Sequence, residues 1–147
     1  MERTLTLVKP DGTYKRLSGT VLQRFEQAGL QLVALKMVRL SRADAERFYA
    51  EHKGRPFYEG LMEFMTAGPI VAAVWQAPDA IKKARSLMGA TNSTEAAPGT
   101  LRKQFGQDNR KNLVHGSDSP TSAAREIAFF FKPEEVFEYD VEPVTAQ

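Results

Sequence analysis

From Arg3 to Lys9 the chain alternates. Leu5 and Leu7 fall on one side, Thr4 and Thr6 on the other, which predicts a strand. Lys9-Pro10-Asp11-Gly12 stops it as a turn, with proline presetting φ, aspartate bonding the local backbone and Gly12 taking positive φ. Between Leu17 and Gly29 the apolar residues Val21, Leu22, Phe25 and Ala28 recur at helical spacing, and Gly29 suits the position just past a helix end. Leu30 to Leu40 reads as a long strand with imperfect alternation. Ser41 then caps a helix running to about Ala50. His52 to Pro56 is a break, and Phe57 to Met65 a helix ended by Gly68-Pro69. Ile70 to Trp75 is a near-continuous apolar run, the mark of a strand covered on both faces. Pro78 to Met88 completes another helix.

The stretch from Gly89 to Asn112 has no strong period beyond a short turn at Thr100 to Phe105. Leu101 and Phe105 can pin it, so it reads as an ordered functional loop. A short apolar segment then leads into His115. Gly116 is expected to take dihedrals that no side chain allows. Ser119 caps a last helix with Pro120 at its first position, running to Phe131 with Ala123, Ala124, Ile127 and Phe130 inward. Lys132 to Gln147 is an acidic tail, packed on a neighbour or partly frayed. Stripped of insertions, the order is β-α-β-β-α-β. That is the ferredoxin-like α+β sandwich, with a four-stranded antiparallel sheet carrying helices on its faces.

At 147 residues, 42% hydrophobic and 26% charged, the chain reads as a single domain, 1–147, with enough material for a sizeable core. It has no cysteine, which excludes disulfides and thiol chemistry and fits a cytoplasmic setting. Lys9 and Asp11 interrupt the first apolar run, so neither a signal peptide nor a membrane span is expected. The total charge is only +2, but Lys82 to Lys111 alone carries seven basic residues against Glu95 and Asp108. A local positive patch on a near-neutral chain suits a small anion better than a specific nucleic acid.

Several separated segments carry a resemblance: Lys9-Pro10-Asp11-Gly12, Arg55-Pro56-Phe57, Gly89-Ala90-Thr91-Asn92, Pro98-Gly99-Thr100-Leu101-Arg102, and Asn112 through His115-Gly116-Ser117-Asp118 to Ser119. In this order they resemble the nucleoside diphosphate kinases, over Glu2 to about Phe137. The resemblance implies ping-pong transfer of a γ-phosphoryl group from a nucleoside triphosphate to a nucleoside diphosphate, with broad base specificity. It implies His115 as the nucleophile. Imidazole, with an ordinary pKa of ~6.5, is largely neutral at pH 7. Glu126 is implied to bond the non-reacting ring nitrogen, with Ser117 supporting that carboxylate and Tyr49 contacting the phosphate region. Lys9, Arg55, Arg85 and Arg102 are the implied phosphate cations, and Lys9 also reaches the ribose. Thr91 adds a hydroxyl, Asn112 an amide to the sugar, and Phe57 with Leu61 a stacking surface for the base. Mg²⁺ is implied as carried mainly by the nucleotide phosphates, with Asp118 touching it through water and no dedicated protein site. His52 is read as a surface residue.

The resemblance also implies a homo-oligomer, a hexamer in preference to a tetramer. Ser93 stands where many members have proline, Gln104 where an acid is common, and Asn109 where a residue often packs near the base. These departures bear on assembly and affinity. Two rival readings are a nucleotide- or nucleic-acid-binding module of the same strand and helix order, and a catalytically silent scaffold. No strand here carries the aromatic-rich signature of an RNA-recognition domain.

Overall fold

The structure, a computed structural model, describes residues 1–143. Four strands, β1 (Glu2–Val8), β2 (Gln31–Val38), β3 (Ile70–Ala77) and β4 (Val114–Gly116), form one sheet in the order β2-β3-β1-β4. Every neighbouring pair is antiparallel. This is the expected ferredoxin-like arrangement. The helices are α1 (Pro10–Tyr14), α2 (Ser18–Gln27), α3 (Arg42–Phe48), α4 (Tyr58–Thr66), α5 (Ala80–Met88), α6 (Leu101–Phe105) and α7 (Pro120–Phe130).

Two apolar clusters cover the two faces of the sheet. Leu5 and Leu7 pack with Phe48, Met62 and Phe130 from α3, α4 and α7. Val8, Val71 and Trp75 pack with Phe25 and Met88 from α2 and α5. β1 is therefore covered on both sides, and its threonine face is as buried as its leucine face. Thr6 is sequestered because its hydroxyl accepts the indole N–H of Trp75 at 2.8 Å, which satisfies two buried polar groups at once.

The imperfect alternation of the second strand has a local cause. The register shifts between Leu32 and Ala34, so Val33 and Ala34 are both buried. The tail lies against this strand. The Phe137 N–H donates to the Val33 carbonyl at 2.9 Å, and the Lys36 ammonium lies 3.0 Å from Glu135. Residues 144–147 of the expected tail fall outside the described residues.

Three expectations are corrected. The Lys9-to-Gly12 turn is the entry to α1, and the positive φ (61°) falls on Arg16 instead of Gly12. Gly12 is needed for close approach: a Cβ there would meet Val8 Cγ1 at 2.6 Å and Leu113 Cδ1 at 3.0 Å. Gly116 likewise has no positive φ; a Cβ there would meet Met88 Sδ at 2.6 Å. On α7, Ala124 faces solvent, while Glu126 is buried in its place beside Ala123 and Phe130.

The stretch after α5 is ordered by its own contacts. Leu101 is fully buried, a short 3-10 turn spans Ser93–Glu95, and the Gln107 N–H donates to the Lys111 carbonyl at 2.7 Å.

Candidate active site

Central strand β1 and edge strand β4 deliver the key side chains. Leu7 pairs with His115 and Val8 with Val114, and the Lys9 N–H extends the ladder to the Leu113 carbonyl at 2.8 Å. Lys9 and His115 thus emerge from neighbouring strands at one end of the sheet. Leu113 is fully buried yet has φ +78°, a strained conformation for a branched side chain. Its N–H donates to Asp11 Oδ2 at 3.0 Å. Asp11, legible in the sequence only as a turn residue, fixes the strained approach to β4. Burial raises its carboxyl pKa, against the pull of the Leu113 N–H and the Lys9 charge.

His115 is held on its far side. Its Nε2 lies 2.8 Å from Glu126 Oε1, and the Ser117 hydroxyl donates to that same oxygen at 2.8 Å. Carboxylate oxygens only accept, so Nε2 carries a proton, and in the neutral imidazole the lone pair lies on Nδ1. Phe48 meets the imidazole edge-on at 5.4 Å. Burial pushes the Glu126 pKa up, but the His115 and Ser117 hydrogen bonds and the Arg125 charge prevail and hold it below the usual carboxylate range.

A cleft of about 440 Å³ opens beside this imidazole. Lys9, Arg85 and Arg102 reach it from three different elements. The Lys9 ammonium donates to Asn112 Oδ1 at 2.8 Å, and the Asn112 amide donates to the Thr91 carbonyl at 2.9 Å. Burial, and then the Arg102 charge, bring the Lys9 pKa down to about 8. Arg102 spans the loop and the sheet, donating to the Gly89 carbonyl at 2.9 Å and the Val114 carbonyl at 2.8 Å. Burial, then Arg85, lower its pKa to about 10. Arg85 donates to the Gly116 carbonyl at 3.1 Å. Tyr49 lines the cleft with a buried hydroxyl that has no partner among the described residues. Burial, and then the Glu126 charge, raise its pKa. Phe57 and Leu61 form the apolar end.

Most of the expected site residues thus converge on one cleft: Lys9, Tyr49, Phe57, Leu61, Arg85, Thr91, Arg102, Asn112, His115 and Glu126 all line it, with Ser117 buried behind Glu126. Arg55 does not line it and is exposed. His52, expected on the surface, is part of the wall, its ring between Tyr49 (5.9 Å) and Phe57 (5.5 Å). Glu51, Asn109 and Arg110 also line the cleft; Asn109 carried a sequence signal as a departure from the family pattern, Arg110 as one of the seven basic residues between Lys82 and Lys111, and Glu51 none. No group of three His, Cys, Asp or Glu side chains is placed to hold a metal among the described residues.

Cleft and fold together describe an anion site built around an oriented imidazole on a ferredoxin-like sheet. The family model "Nucleoside diphosphate kinase" matches residues 2–136. The chain is 54% identical over 140 residues to the nucleoside diphosphate kinase of Carboxydothermus hydrogenoformans, covering 95% of this chain and 94% of the relative. It is 57% identical over 136 residues to that of Psychromonas ingrahamii, covering 92% and 94%. Among solved structures, the Aquifex aeolicus nucleoside diphosphate kinase superposes with a TM-score of 0.91 at 50% identity, over 92% of this chain and 99% of that one. The Halobacterium salinarum enzyme in complex with CDP gives 0.94 at 44% identity, over 96% and 94%. The chain belongs to the nucleoside diphosphate kinase family.

Proposed function

We propose that this chain passes the γ-phosphoryl group of a nucleoside triphosphate to a nucleoside diphosphate through a phosphohistidine on His115. The observation that carries the reading is the Glu126–His115 hydrogen bond, which commits Nε2 and leaves Nδ1 as the nucleophile. In the first half-reaction Nδ1 attacks the γ-phosphorus. The bond to the β-phosphate oxygen breaks, and the diphosphate leaves with that electron pair. In the second half-reaction a β-phosphate oxygen of the acceptor attacks the phosphohistidine, and the electron pair returns to Nδ1. Glu126 holds the ring in one tautomer throughout and balances the charge that the imidazole gains.

The transferred group carries spread negative charge, so positioning and neutralisation dominate. Lys9, Arg85 and Arg102 supply cations around it. Arg55 stands outside the lining and would join only by moving. The Tyr49 hydroxyl, unpartnered among the described residues, gains a phosphate oxygen as its acceptor, and Thr91 supplies a second hydroxyl. Asn112, oriented by Lys9 and the Thr91 carbonyl, meets the sugar. Phe57 is 42% exposed, an aromatic ring free for a base to stack on, with Leu61 beside it.

The donor set fits a Mg²⁺ that arrives with the phosphates. Asp118 is an exposed carboxylate on the cleft wall, and its pKa is lowered first by the Ser122 hydroxyl. It would hold such an ion through water. The ion, when bound, neutralises phosphate charge.

The same reading carries a homo-oligomer, hexamer over tetramer. Exposed Leu35 and Met37 on edge strand β2 support a covered face there. Sedimentation equilibrium tests the assembly. The cysteine-free composition supports a cytoplasmic setting. Among the described residues no helix is long and apolar enough to cross a membrane.

The activity is tested by steady-state kinetics with ATP as donor and GDP, CDP or UDP as acceptor. Parallel double-reciprocal lines with all three acceptors are expected. Intersecting lines, or no turnover, would overturn the ping-pong reading.

A further inference from the structure

The face of α4 that borders the cleft begins at Phe57, its capping residue, and continues through Gly60 and Leu61, spacings that place all three on one side of the helix. Phe57 and Leu61 line the cleft, and Gly60 leaves a notch between them. The Arg110 guanidinium fills that notch. A Cβ on Gly60 would run into its Nη1 and come within 2.6 Å of Cζ and 2.7 Å of Nη2. The backbone beneath Arg110 is fixed, because its N–H and that of Lys111 both donate to Asp108 Oδ1 at 2.8 Å. The guanidinium itself joins no ion pair among the described residues.

The cleft carries positive charge in two places. One group surrounds the imidazole, where phosphates are needed. The other is a single unpaired guanidinium beside the aromatic end, where a base would lie. A guanidinium only donates hydrogen bonds. Bases differ in what they offer it. On the edge that paired bases turn to the major groove, guanine presents two acceptors, O6 and N7, and adenine an amino group beside N7, while on that edge cytosine presents only its amino group and uracil only O4.

We propose that Arg110 is a specificity-determining residue that favours 6-oxopurine nucleotides, donating to O6 and N7 of guanine or hypoxanthine. This rests on the nucleotide-binding reading above and grades its broad base tolerance.

The test is isothermal titration calorimetry of GDP, IDP, ADP and CDP with the full chain, its Arg110→Ala variant and its Gly60→Ala variant. IDP keeps O6 and N7 but lacks the 2-amino group. Gly60→Ala keeps the charge on the chain but expels the guanidinium from its notch. Alanine is favoured over glycine in a helix, and the atoms displaced are the end of a flexible side chain, so the fold is retained. GDP and IDP are expected to bind alike and about fivefold more tightly than ADP and CDP, an exposed contact giving the low end of base discrimination. Both variants are expected to bring the ratio close to one.

Equal binding of the four nucleotides by the parent chain would overturn the proposal. So would a preference that survives in both variants, or an equal loss for all four in Arg110→Ala, which would make Arg110 a stacking group. Failure of the parent chain to bind any of the four would overturn the nucleotide reading itself.

Discussion

Glu126 Oε1 lies 2.8 Å from His115 Nε2, and the Ser117 hydroxyl reaches the same oxygen from a second direction. One carboxylate therefore sets both the tautomer and the aim of the imidazole. Glu126→Ala should lower the rate of phosphoenzyme formation by roughly 100-fold, because the ring loses its orienting partner and its countercharge. Rapid-quench measurement with labelled ATP checks this. An unchanged rate would leave Glu126 as a packing residue.

Lys9 gives a pH signature in which activity and stability run in opposite directions. Its folded-state pKa is about 8, against 10.5 for the unperturbed side chain. The free protein therefore loses this charge as pH rises through about 8, and kcat/KM should fall there. Between those two values the unfolded chain binds the proton more strongly than the folded one. The Lys9 contribution to unfolding free energy consequently rises with pH across that window. Lys9→Met should abolish both trends and depress kcat/KM at every pH. Identical pH profiles for the parent and the variant would contradict the assignment.

Arg102 has two tasks. It faces the cleft, and it ties the Gly89 carbonyl to the Val114 carbonyl across the loop. Arg102→Lys keeps a charge but cannot span both oxygens. Thermal and urea unfolding should show a loss of about 2–3 kcal/mol, the value of hydrogen bonds made by a buried charged group. Unchanged stability in this variant would confine Arg102 to ligand contact.

The order of elements along the chain and most helices were legible because their apolar positions recur at strand or helix spacing. The cleft was legible because its residues fall in short separated motifs. What escaped has physical reasons. The burial of Thr4 and Thr6 depends on which strands flank β1, which no local pattern encodes. The bulge at Val33 broke an alternation that then looked merely imperfect. Gly12 and Gly116 signalled backbone freedom, yet they serve close packing against Val8, Leu113 and Met88, contacts between distant segments. The strained dihedral sits on Leu113, where no residue type announces it. Glu51 and His52 join the cleft wall through tertiary placement alone.

Phe57 is half-exposed at the start of α4, so its removal should affect ligands more than stability. Phe57→Ala should weaken nucleotides of every base by about 1–3 kcal/mol, the value of one stacking contact. Calorimetric titration measures it. A loss confined to one base would contradict the stacking role.

In the proposed mechanism one ring nitrogen carries the phosphoryl group between two nucleotides. Incubating the protein with γ-labelled ATP and Mg²⁺, isolating the phosphoenzyme and locating the phosphate by phosphorus–nitrogen NMR coupling tests it most directly. The expected result is an acid-labile, base-stable phosphate on Nδ1 of His115 that chases onto GDP and is absent from His115→Ala. A phosphate on Nε2 or on another residue, or labelling that persists in His115→Ala, would contradict it.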